Sequence, residues 1–322
     1  MMIKKINKKA ISLAFNWIFA IIAGGTILFL AIFAAGKVIR TSEQTVYTES
    51  AASLISLFDP LETGLASGKA YEIGFKKKSK IFFKCQEYLN KPFGKQTISF
   101  SEQTFGETYG EQGKEVSIKD KYIFSKDVVE GKVIYVFSKP FFLPFKINDL
   151  TIVTSDNDKY CFYDSPEEIK ESLESLNLKN IIFVNNTLKC EGVNVCFKET
   201  RKCDIIVYED QNYVLNRNYR KRVYYVGDLV YGAIFSSPEI YECDVKRIKS
   251  KFDELTKVYL DKIKIIEREG CQSNLGQKLN SVLGPLNDSR ELIGLYNNVQ
   301  EIDSINKLEK SGCQLYYDLG FE

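Results

Sequence analysis

The sequence predicts an α+β protein: an N-terminal single transmembrane helix continuing into a stalk, then a strand-rich extracytoplasmic domain with a ββαβ unit and a C-terminal helical hairpin. Three observations carry that expectation. No charged side chain occurs between Lys9 and Lys37. All eight cysteines follow that stretch. Beyond it, short runs of β-branched and aromatic residues give way, from Pro238, to apolar stripes of helical period. The expected organisation is a basic cytoplasmic N-terminus over 1–10, a transmembrane helix over 11–36, a helical stalk over 37–60, a mixed β-rich domain over 61–237 and a helical region over 238–322.

The uncharged stretch decides the first element. As a helix it reaches about 40 Å, against roughly 30 Å of hydrocarbon. A cleaved signal peptide has an apolar core of only about 7–15 residues, so a retained signal anchor fits better. Ser12, Asn16 and Thr26 are tolerable within such a helix, and Gly24 and Gly25 permit close approach of another helix. Trp17 falls in the first turns of the span, where an indole anchors at the interface. Lys4, Lys5, Lys8 and Lys9 precede the span and only Lys37 and Arg40 follow closely. That excess predicts a cell-membrane protein with its N-terminus in the cytoplasm and its C-terminal domain outside it.

Cysteine usage points the same way. Cys85, Cys161, Cys190, Cys196, Cys203, Cys243, Cys271 and Cys313 are even in number and contain no C-x-x-C pair. Structural zinc sites show close pairs, so a disulfide framework is the better reading. Cys271 and Cys313 bracket a helical tail and can staple its ends. Asn185 and Asn287 head glycosylation triplets that an extracellular chain would expose.

Lys8-Lys9-Ala10, followed by Ile11-Ser12-Leu13-Ala14-Phe15, resembles the class III signal peptide of archaeal type IV pilin-like proteins. The resemblance covers about 40 residues. It implies cleavage between Ala10 and Ile11 on the cytoplasmic side, with the apolar helix kept as the core of a surface filament. Phe15 departs from the bacterial pattern, which carries Glu five residues past the cut. An uncut anchor is the alternative.

The remaining elements follow in order. Tyr47, Ala51, Leu54, Ile55 and Phe58 mark one face of the stalk, which Asp59-Pro60 should end. Strands are expected at Ser79–Cys85, Gln96–Phe100 and Lys132–Phe137. Residues 101–121, with Gly106, Gly110 and Gly113, read as a long exposed excursion. Pro140 and Pro144 bracket an aromatic segment, Phe141, Phe142 and Phe145, expected in the core. Strands at Leu150–Thr154 and Lys159–Tyr163, a helix capped by Ser165 with Pro166 and Glu168, and a strand at Asn180–Val184 make the ββαβ unit. Further strands are expected at Val193–Lys198, Asp204–Tyr208, Arg222–Val226 and Leu229–Phe235. One helix then carries Ile248, Phe252, Leu255, Tyr259, Ile263 and Ile266 to Gly270. A last one runs from Asn287 or Asp288, with Leu292, Leu295, Val299, Ile302 and Ile305, to Gly312.

The chain contains no histidine. Histidine-based triads, Cys-His dyads and histidine-ligated metals are therefore excluded, while carboxylate, lysine and thiolate chemistry remain open. Asp156, Asp158 and Asp164 surround a turn and are calcium candidates, though the full loop spacing is missing. The run Lys76–Lys80 reads as a solvated strand edge. Arg217, Arg220, Lys221 and Arg222 stand among tyrosines, but a net charge of +2 and an exported domain argue against nucleic acid. No phosphate-cradling or nucleophile-elbow motif appears. The expected function is a structural or interaction protein at the cell surface, not an enzyme, with no cofactor. Its expected partners are the bilayer through residues 11–36 and either itself or other envelope proteins. A membrane-tethered ligand- or envelope-binding module and an exported carboxylate-based enzyme are the alternatives.

Overall fold

The computed structural model describes residues 8–58, 70–87, 93–104, 106–184, 190–198, 203–271, 274–309 and 313–317. The fold is mixed α+β. Helix α1 (Lys8–Leu57) is one uninterrupted apolar rod that continues into the domain. Among the described residues, twelve strands form two six-stranded sheets, and five further α-helices pack around them.

The first sheet contains β1 (Ala70–Gln86), β2 (Lys95–Glu102), β3 (Val116–Ile118), β4 (Tyr122–Phe124), β5 (Val128–Phe142) and β6 (Lys146–Ser155) in the order β3-β2-β1-β5-β6-β4. It is antiparallel except where β4 pairs parallel with β6. The second sheet contains β7 (Tyr160–Tyr163), β8 (Ile181–Phe183), β9 (Val193–Cys196), β10 (Ile205–Tyr208), β11 (Tyr213–Asn216) and β12 (Lys221–Tyr224) in the order β12-β11-β10-β9-β7-β8. Its β8-β7-β9-β10 half is parallel and its β10-β11-β12 half antiparallel.

The further α-helices among the described residues are α2 (Glu167–Glu174), α3 (Leu229–Phe235), α4 (Pro238–Arg268), α5 (Leu275–Ser281) and α6 (Glu291–Leu308). Because strand side chains alternate between faces, each sheet serves two environments. One face of the first sheet, with Ile81, Phe83, Ile98, Phe100, Ile134 and Val136, packs against Tyr47, Ala51 and Leu54 of α1 and Phe58 just after it. The opposite face, with Tyr135, Phe137 and Ile152, joins a larger core shared with α3, α4, α6 and Tyr160 and Phe162 of the second sheet. On the outer face of that second sheet, Cys161, Tyr163, Cys196 and Ile206 form a small cluster with Cys203 and Val184.

Several local expectations are corrected. Leu229–Phe235 is helix α3, not a strand, and all seven residues are buried. Gly232 lets it lie against the Phe124 ring, since a Cβ there would come within 2.6 Å of a ring carbon. The segment 101–121 is not a free excursion, for it contains β3 and lies along α1. Ser165 does not cap α2: Pro166 takes that position at φ −55° and ψ 149°, with no side-chain cap bond. The expected ββαβ unit is split, because β6 belongs to the first sheet and β7 to the second. Between the two stripes after Pro238 lies the unforeseen α5, packed against both α4 and α6. Gly270, at φ +94°, follows α4 in the left-handed conformation that glycine adopts without strain. Helix α6 begins at Glu291, with Arg290 rather than Asn287 or Asp288 at its cap. Within the aromatic segment, Phe141 and Phe145 are buried while Phe142 is 40% exposed. The breaker Asp59-Pro60, the triplet at Asn185 and Gly312 lie outside the described residues.

Candidate functional site

Among the described residues, α1 exposes a continuous apolar surface from Trp17 to Ile39. Ile18, Phe19, Ile21, Ile22, Ile27, Leu28, Phe29, Leu30, Ile32, Phe33, Val38 and Ile39 are each more than half exposed, and so is Trp17. The most apolar window of this helix has a mean hydropathy of 2.6 with none of it buried. Covering one such side chain is favourable by about 1.5–3 kcal/mol, so the twelve aliphatic and phenyl side chains together represent on the order of 20–35 kcal/mol. Thr26 Oγ1 donates to the Ile22 carbonyl at 2.8 Å, as a hydroxyl in an apolar medium must. Ala10 and Ile11 lie in the first turn of α1.

The last turns of α1 are docked on the domain. The backbone N–H of Lys114 donates to Thr48 Oγ1 at 3.0 Å, and Tyr47 meets Phe100 edge-on at 5.9 Å between ring centres. Gly110 and Gly113 allow the β2–β3 connection to run this close. A Cβ on Gly113 would stand 2.9 Å from the backbone of Tyr47 and Thr48. Lower on the helix, Gln44 donates to Glu111 at 3.2 Å, and Arg40 reaches the same carboxylate at 3.5 Å. The last pair is exposed and adds little.

The eight cysteines form four disulfides, Cys85–Cys243, Cys161–Cys190, Cys196–Cys203 and Cys271–Cys313. The last is the staple anticipated across the helical tail. The first ties β1 to α4 beside a buried polar network of Gln96, Asp244 and Arg247.

The calcium candidates are not brought together. Asp156 accepts from the Lys132 N–H at 3.0 Å, Asp158 pairs with Lys126 at 2.9 Å, and Asp164 is exposed beyond β7 at φ +52°. Among the described residues no group of three acidic, cysteine or histidine side chains is placed to share a metal ion. Asn287 is exposed, but its amide donates to Glu291 at 2.7 Å, and Ser289 of the same triplet is buried. In the basic run, Lys78 and Lys80 pair with Glu130 at 2.7 and 3.3 Å, beside a register shift in β1 between Gly74 and Ser79. In the second basic run, Arg222 stacks over Tyr213 at 5.1 Å and Lys221 pairs with Glu239.

One cleft of about 230 Å³ opens between the Phe141–Pro144 segment, the Gly227–Asp228 turn and α6. Asp228 lines it, and burial raises the proton affinity of that carboxyl, opposed by nearby Lys139. Lys139, Ser172, Asp228 and Tyr231 escape sequence reasoning, because they come from separate parts of the chain and no spacing links them.

No family model, curated protein or solved structure matches this chain. The functional reading therefore rests on its own surfaces: an exposed apolar rod at one end, a disulfide-braced domain docked on the same helix, and a small acidic cleft.

Proposed function

We propose that this is a membrane-anchored structural or interaction protein whose globular part lies outside the cytoplasm. The observation that carries the reading is the contrast within α1, which exposes its apolar side chains from Trp17 to Ile39 while Tyr47, Ala51 and Leu54 near its end are buried against the first sheet. A bilayer covers such a rod without requiring any partner. The four disulfides support an oxidising compartment for the domain. The lysines before the span support a cytoplasmic N-terminus. Alkaline carbonate extraction of native membranes tests the anchor. The protein should stay with the pellet, and release into the supernatant would contradict a lipid-embedded helix.

A pilin-like filament subunit is the second reading. It is favoured by the continuity of α1 from its exposed apolar stretch into its docked last turns, which would let residues 11–36 pack in a filament core while the domain faces outward. In that reading cleavage falls between Ala10 and Ile11. N-terminal sequencing of mature protein should then begin at Ile11, whereas an intact Met1 would leave only the simple anchor.

A further inference from the structure

Lys139 on β5, Ser172 on α2 and Tyr231 on α3 converge although 33 and 59 residues separate Ser172 from the other two. The Lys139 ammonium nitrogen meets Ser172 Oγ in a short hydrogen bond. Tyr231 donates its hydroxyl to the same Oγ at 2.7 Å, and Lys139 Nζ lies 5.2 Å from the centre of the Tyr231 ring. Asp228 precedes α3 and stands near enough to Lys139 for each to alter the other's proton affinity. Asp228 also lines the 230 Å³ cleft, whose walls include Phe142, Pro144, Tyr296 and Asp303.

We propose that Ser172 is an activated nucleophile that accepts acyl groups from esters, with Lys139 as its general base. The argument begins with the hydroxyl proton. Tyr231 donates into the Ser172 oxygen, so the serine's own hydrogen is free to point at Lys139. That arrangement is productive only when the amine is neutral. Burial lowers the proton affinity of Lys139, with the Asp228 charge acting in the opposite direction. The other charges facing this cluster are Glu168 on α2 and, beyond it, Glu209 after β10. Tyr231 is pushed up to about 12, so its hydroxyl stays a donor and makes it a positioning residue. In a chain without histidine, a desolvated lysine is the amine base that remains available.

The step balances without a further reagent except water. The Ser172 proton passes to Nζ as Oγ bonds to the ester carbonyl carbon. The carbon–alkoxide bond then breaks, and the Lys139 ammonium returns the proton to the leaving alcohol. Water next attacks the acyl-serine, giving its proton to Nζ, and as the Oγ–carbon bond breaks to release a carboxylic acid the Lys139 ammonium returns that proton to Ser172 Oγ.

The test uses the full chain in detergent micelles and an alkyl fluorophosphonate, which phosphonylates activated serine hydroxyls with loss of fluoride. Peptide mass mapping should place the label on Ser172. The labelling rate should rise with pH through one ionisation below 10.5, the ordinary lysine value. Lys139→Met, checked for folding by circular dichroism, should label about 100-fold more slowly, within the range for a lost general base. Tyr231→Phe should move the midpoint of the pH profile. A reading that needs no variant comes from acetic anhydride labelling of Lys139 across pH, where a midpoint below 10.5 is expected. The proposal is overturned if Ser172 labels no faster in the folded chain than in urea, or if Lys139 titrates at or above the ordinary value.

Discussion

Arg247 Nη1 meets Asp244 Oδ1 at 2.5 Å, three residues apart on α4, with both side chains sealed from water. Gln96 on β2 completes the arrangement: its amide donates to Asp244 Oδ2 at 3.0 Å and to the Ile123 carbonyl at 2.6 Å. Arg247 Nε donates to the Phe93 carbonyl at 2.8 Å, and its guanidinium lies 4.8 Å from the Tyr122 ring centre. The neighbouring Cys85–Cys243 bond locks the same helix to β1. Together these contacts fix α4 across the first sheet.

Replacing Asp244 by Ala leaves a permanently charged guanidinium buried without its counter-ion. The expected loss is about 3–5 kcal/mol, and Asp244→Leu with Arg247→Met should recover much of it. Urea unfolding of the full chain at fixed pH measures both.

Stability should also depend on pH through Asp244. Burial pushes its carboxyl up to about 7, against the opposing pull of Arg247 and Gln96, while the unfolded group titrates near 3.8. Between these values the folded state holds more protons than the unfolded one. This carboxyl therefore favours folding at the acidic end, and its contribution falls as pH rises from about 4 to 7. Asp244→Asn should flatten that part of the unfolding free energy measured against pH.

The disulfides should differ in importance by the loop each closes. In the chain-entropy picture, removing Cys271–Cys313, 42 residues apart, costs about 4 kcal/mol, and removing Cys196–Cys203, seven apart, about 2 kcal/mol. Paired Cys→Ser variants compared by thermal unfolding should rank in that order.

Gly113→Val should loosen the stalk. Its Cβ would press on the backbone of Tyr47 and Thr48, which cannot rotate away as a side chain can. Overpacking of this kind costs about 1–3 kcal/mol. Hydrogen exchange should detect it locally, as faster exchange at the Lys114 amide that bonds Thr48.

The legible parts of the sequence were those with a long period or an extreme composition. The uncharged run gave α1, and its Tyr47–Phe58 stripe named the face that docks. Leu229–Phe235 was misread because a seven-residue buried segment is apolar all round, and periodicity then cannot separate strand from helix. The polar segment 101–121 resembled a loop because its contacts with α1 run through backbone and glycine, which leave no apolar signature. The Cys271–Cys313 pair was readable because it brackets local helices. Cys85–Cys243 spans 158 residues and depends on how α4 crosses the sheet. The Lys139–Ser172–Tyr231 cluster is equally non-local and is assembled only by tertiary packing.

The most direct test of the central claim is labelling of sealed cells with a membrane-impermeant amine reagent, followed by peptide mapping. The exposed lysines Lys76, Lys77 and Lys132 should react in intact cells, while Lys4, Lys5, Lys8 and Lys9 should react only after the membrane is opened. Labelling of the N-terminal lysines in sealed cells, with the domain lysines protected until lysis, would contradict the account.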